Sequence, residues 1–148
     1  MFGLLAPGTG TQLAEALARA SIPRHVESVL LADARREATR DGDRHPYDIE
    51  AISTTFRASV RVTCDECESE VLPAGTPVYV VAMRGHFSCN TCSPPRGRTV
   101  RPGTVVTLVY IAATMFRTSF GLGHAYPNLR TAGTPVRLDA PSARRRHR

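Results

Sequence analysis

A chain of 148 residues fits one compact domain, and 42% hydrophobic against 22% charged residues excludes a disordered composition. All the basic residues are Arg; without Lys there is no Schiff-base chemistry and no Lys-dependent phosphate loop, so Gly8-Thr9-Gly10 reads as a turn. The net charge of +6 is unevenly placed: residues 1–50 carry 6 Arg against 8 acids, residues 51–93 carry 3 against 4, and residues 94–148 carry 10 against Asp139 alone.

In chain order, Thr9-Gly10-Thr11-Gln12 has the form of a capping box, and Leu13, Ala16, Leu17 and Ala20 follow at helical spacing. This predicts a helix over about 11–20. Ser21-Ile22-Pro23 restarts the chain, with Pro tolerated in a first turn. Val26, Val29, Leu30 and Ala34 then form one stripe, up to a stop at Asp41-Gly42. Residues 1–50 are therefore expected to be a helical hairpin. Asp41, Asp43, His45 and Asp48 gather general acid–base side chains in one polar loop, which reads as a solvated turn, since catalytic groups converge from separate elements. The chain is not expected to be an enzyme.

From Ala51 the period changes. Ile52, Thr54, Phe56, Ala58, Val60 and Val62 alternate with smaller or polar residues, which predicts a strand running into Cys64. Pro77 to Met83 is a second strand, with a turn at Arg84-Gly85. Val105 to Phe116 is the third and longest; it is far short of the about 20 residues a spanning helix needs, so no membrane role is expected. Gly121, Gly123, Pro127, Asn128 and Gly133-Thr134-Pro135 mark loops, with one short strand around Val136. The expected fold is α+β: the hairpin packs as one domain with an antiparallel β region over 51–136, and 137–148 is a disordered Arg-rich tail. Met1 to Ala6 has no basic leader and too short an apolar run for export. A reducing compartment follows, cytoplasmic or, in a eukaryotic host, nuclear.

The strongest pattern is Cys64-Asp65-Glu66-Cys67, 21 residues, then Cys89-Asn90-Thr91-Cys92. Two residues between cysteines let a tight turn aim both sulfurs at one point, and two such turns close a tetrahedron around one structural Zn²⁺. Two disulfides, a redox dithiol or iron–sulfur centre, and four ordinary thiols are the alternatives. The stretch from Cys64 to Cys92, with Gly75, Gly85 and Phe87-Ser88-Cys89 between, resembles the zinc-ribbon and treble-clef fingers over about residues 60–93. It departs from the ribbon in having Glu68 and Ser93 where Gly is usual, and from the treble clef in Ser93-Pro94-Pro95, which disfavours a helix there. His86, three residues before Cys89, is read as a surface residue or a hydrogen-bond donor to a sulfur.

Two functions compete. In the first, the basic C-terminal third binds DNA or RNA electrostatically through Arg96, Arg98, Arg101, Arg144, Arg145, Arg146 and Arg148, with the acidic turn Asp65 to Glu70 facing away. In the second, zinc scaffolds an adaptor or structural protein of a virus, phage or bacterium, docking a protein partner through Val26, Val29 and Leu30. Neither reading includes a small-molecule substrate.

Overall fold

The computed structural model describes residues 21–64, 71–89 and 101–140. The expected helix over 11–20 lies outside them.

Helix α1 spans Arg24–Arg40. It starts where the Pro23 carbonyl accepts from the Val26 and Glu27 amides, at 3.0 and 2.9 Å. Val26, Leu30, Ala34 and Ala38 recur every four residues and are buried. The small Ala34 and Ala38 let the helix lie close on the sheet. It stops as the sequence predicts: Gly42 takes φ +94°, and the Asp43 amide donates back to the Ala38 carbonyl at 2.9 Å.

The fold is α+β, with a five-stranded antiparallel sheet in the order β4-β3-β2-β1-β5. Strand β1 spans Tyr47–Thr55, β2 Pro77–Phe87, β3 Gly103–Ile111, β4 Arg117–Gly123 and β5 Val136–Arg137. A second helix, α2, covers Phe56–Thr63. The two helices lie on opposite faces. Under α1 pack Ile49, Ala51, Val81, Met83, Phe87, Val106, Leu108 and Tyr110. On the other face Ile52, Val78, Val80, Ala82 and Val109 meet Phe56 of α2 and Leu129 of the C-terminal segment. With both faces covered, the central strands read as near-continuous Val runs rather than clean alternation.

Several elements depart from expectation: β1 begins at Tyr47, within the stretch expected to be hairpin and turn, and β4 occupies a stretch expected to be loop. The strand does not run into Cys64; it ends at Thr55, whose hydroxyl accepts from the Ala58 amide at 3.3 Å and caps α2. Arg84-Gly85 is no turn but an irregularity within β2, where the pairing with β3 shifts between Arg84 and Phe87. A Cβ at Gly85 would lie 2.5 Å from Asp43 Oδ2 and 2.6 Å from the Phe87 ring, so only Gly fits. Val105 to Phe116 is not one strand: β3 stops at Ile111, and the chain reverses through Met115 at φ +59° into β4. Among the described residues no helix is long and apolar enough to cross a membrane.

Candidate nucleic-acid interface and cysteine site

The helix α2 sets the first half of the cysteine site. Its start is tied to the approach of β2, where the Phe56 amide donates to the Thr76 carbonyl at 2.8 Å and the Arg57 amide to the Ala74 carbonyl at 3.1 Å. Phe56 and Ser59 are buried, and the outer side carries exposed Arg57 and Arg61. The last turn delivers Cys64, whose amide donates to the Val60 carbonyl at 2.8 Å. The first cysteine pair is thus approached by a helix and not by the expected strand. Cys89 follows β2 by two residues, and its neighbour Ser88 donates its amide to the Asp41 carbonyl at 2.7 Å.

These placements converge. Cys64 lines a cavity with Val105 and Gly123, which pair with each other near the start of β3. Phe87 pairs with Gly103 at that same end. One end of the sheet therefore receives both cysteine approaches. Cys67 and Cys92 lie outside the described residues, and among those described no group of three or more His, Cys, Asp or Glu forms a metal site. Cys64 and Cys89 are not free thiols: each is disulfide-bonded. Zinc binding would require these cysteines as reduced thiolates, since the thiolate is the metal ligand. His86 is exposed, and its amide donates to Asp43 Oδ2 at 2.8 Å.

Arg96, Arg98 and Arg144, Arg145, Arg146 and Arg148 also fall outside the described residues, while Arg101 is exposed just before β3. Two Arg of the basic third are spent inside the fold. Arg117 reaches Glu37 at 3.5 Å and Asp33 at 3.6 Å, and Arg137 holds Asp48 at 2.6 Å and Asp139 at 2.9 Å. Asp139 also accepts from the Ile49 amide at 3.2 Å, so residues up to Asp139, expected in the tail, close the edge of the sheet.

What remains outward is unevenly distributed. Helix α1 mixes four Arg with three acids, whereas α2 and residues 124–137 contain no acid at all. Arg57, Arg61, Arg101 and Arg130 are exposed and join none of the ion pairs among the described residues. Between α2 and the 124–131 segment lies a cavity of about 580 Å³, lined by Arg61, Cys64, Thr107, Gly123, His124, Tyr126 and Asn128 among others, with no carboxylate among the described residues. A smaller cavity of about 380 Å³ shares Thr63, Cys64, Thr107 and Gly121 with it. Its wall is braced: the Tyr126 phenol donates to Glu50 at 2.7 Å, and the Arg84 guanidinium lies 4.2 Å from the centre of the ring. Burial and the Glu50 carboxylate push the Tyr126 phenol well above its ordinary pKa. It stays a donor at physiological pH.

The polar loop resolves into separate structural roles. Burial works against the charge of Asp43, but the amides of His86 and His45 prevail and hold its carboxyl below the ordinary value. Asp41 is not solvated, as the sequence reading has it, but fully buried, with both carboxylate oxygens lacking a hydrogen-bond partner. Burial, then the neighbouring Glu37, raises its pKa above 3.8, while Arg40 and Arg117 oppose the shift. The unfolded chain therefore releases this proton first, and Asp41 costs stability as pH rises from about 4 through its folded-state pKa. Asp41→Asn should leave the thermal midpoint nearly unchanged at pH 3.5 and raise it by several degrees at pH 7, about 1–2 kcal/mol. A midpoint that falls at pH 7 would mean that the carboxylate has an undetected stabilising partner.

Comparison with known proteins returns no family model, curated protein or solved structure that matches this chain, so its function has to be read from its own residues.

Proposed function

We propose that this is a small zinc-binding regulatory protein that binds nucleic acid electrostatically. One observation supports it most: the layer of α2 and residues 124–137 has no acid, presents Arg57, Arg61 and Arg130, and borders a cavity with no carboxylate among the described residues. Phosphate is attracted wherever cations are left without internal partners. Arg101, Arg96 and Arg98 and the terminal Arg residues extend the same charge along the chain. In the reduced chain, with the disulfides at Cys64 and Cys89 opened to thiolates, Cys64, Cys67, Cys89 and Cys92 are assigned one structural Zn²⁺, which supplies rigidity and no catalytic step.

The test is binding of a generic DNA and a generic RNA at two salt concentrations, by the intact chain and by a chain ending at Ala140. Binding should weaken steeply with salt, and loss of the four terminal Arg should shrink the salt slope on duplex DNA by about 3–4. Absence of binding at low salt would transfer the conclusion to the adaptor reading. That reading has one favourable observation. Val26 and Leu30 are spent in the core, but Val29 and Phe116 are 51% and 67% exposed and share a groove of about 460 Å³ between α1 and the turn before β4.

A further inference from the structure

We infer that the cavity beside Cys64 accepts one unstacked nucleobase, so that the protein prefers single strands to duplex; the inference rests on the nucleic-acid reading above. A volume of about 580 Å³ falls within the range of ligand pockets, roughly 300–1,000 Å³. A base within a duplex is stacked on both faces and paired at its edge, so only a splayed base can enter a recess in a sheet.

The lining suits that occupant. Gly121, Leu122 and Gly123 of β4 line the cavity, and Leu122 also packs against the core under α1. A Cβ at Gly123 would meet nothing within 4 Å, so the floor there is bare backbone over which a flat ring can lie. The Thr107 hydroxyl and the Asn128 amide offer a donor and an acceptor each to a base edge. The Tyr126 ring forms a fixed aromatic wall, because its phenol is anchored to Glu50 at 2.7 Å. Exposed Arg61 and His124 stand at the lining, where the sugar–phosphate chain must pass once its base is inside. Among the described residues the lining holds no carboxylate, and Glu50 behind Tyr126 is engaged by its phenol.

The experiment compares a mixed-sequence single-stranded 12-mer with its own duplex, at one low salt concentration, on the full chain. The single strand should bind about tenfold more tightly. Gly123→Leu fills the recess from a position with open space and should bring single-strand affinity down to that of the duplex, while duplex binding is unchanged. Thr107→Val keeps the side-chain shape, removes the hydroxyl, and should narrow the preference in the same direction; it serves if the Leu variant loses its folded circular-dichroism signal. Equal affinity of the wild-type chain for both forms, or a full single-strand preference in both variants, overturns the base pocket and leaves the electrostatic reading standing. Failure of both forms to bind at low salt overturns that reading and the pocket with it.

Discussion

Replacing Cys64 or Cys89 with Ser should lower the thermal midpoint by more than about 15 °C, the largest effect expected of any single substitution in the chain. The reason lies in what else restrains the segment. α2 is only eight residues, with two buried side chains to hold it. A helix that short is marginal without tertiary anchors. Its N-terminal end is tied by the Phe56 and Arg57 amides, while its C-terminal end packs the half-buried Val60 and Val62 on the core and then hands the chain to Cys64. At the other approach, Ser88 is pinned to Asp41 and hands the chain to Cys89. A zinc bound by four thiolates contributes about 10–16 kcal/mol of apparent binding, whereas a disulfide contributes about 2–5. The two chemistries separate cleanly in solution. Protein purified under reducing conditions should carry one zinc per chain and should lose its fold when a chelator is added. A chain that holds no zinc, and that yields four thiols and a lowered midpoint on reduction alone, has disulfides in place of the metal.

How far the sequence reveals this fold depends on which signals are local. The end of α1 is legible because capping is local chemistry: Gly42 takes the left-handed cap that the Asp41-Gly42 pair predicts. β5 is legible as the short strand around Val136 that follows the turn residues Gly133-Thr134-Pro135. α2 is not, because Ile52, Thr54, Phe56, Ala58, Val60 and Val62 alternate through both the end of β1 and the helix. Only the cap by Thr55 and the burial of Ser59 reveal the change to period 3.6. β4 escapes for a different reason. Its sequence, Arg117-Thr118-Ser119-Phe120-Gly121-Leu122-Gly123, resembles a loop, since an edge strand over a cavity carries small residues where a covered strand carries Val. The cavity is illegible for the same reason, as it is assembled from α2, β3, β4 and the 124–131 segment. Charge segregation is half legible. The counts locate the excess after Cys92, but not that Arg117 and Arg137 are withdrawn into ion pairs.

That withdrawal has a measurable cost. Arg117→Ala should destabilise the protein by about 3 kcal/mol, a fall in midpoint of roughly 10 °C. Glu37 is buried under α1, its side chain 7% exposed, and it faces Arg117 at 3.5 Å and Arg40 at 3.3 Å. The two cations face different carboxylate oxygens, Arg40 at Oε2 and Arg117 at Oε1. The same guanidinium reaches Asp33, which in turn accepts the Tyr110 proton across the helix–sheet boundary. Burial and that carboxylate push the Tyr110 phenol far above its ordinary value, so it remains a donor throughout the working pH range. Removing Arg117 leaves Asp33 with only the exposed Arg36, Glu37 with only Arg40, and Asp41 without a hydrogen-bond partner. Most of the loss is therefore charge left in a low-dielectric site, rather than lost contact area. The two contributions are separable. Glu37→Gln in the Arg117→Ala background should restore more than half of the lost stability, because it removes the stranded charge and keeps the shape. An unchanged deficit in the double variant would show that Arg117 acts by packing its stem against Tyr110 and Met115, and that the ion pair contributes little. Nucleic-acid binding should be unaffected by either change. Arg117 belongs to the fold, and in the proposed reading phosphate is left to the cations that α2 and the C-terminal segment hold outward.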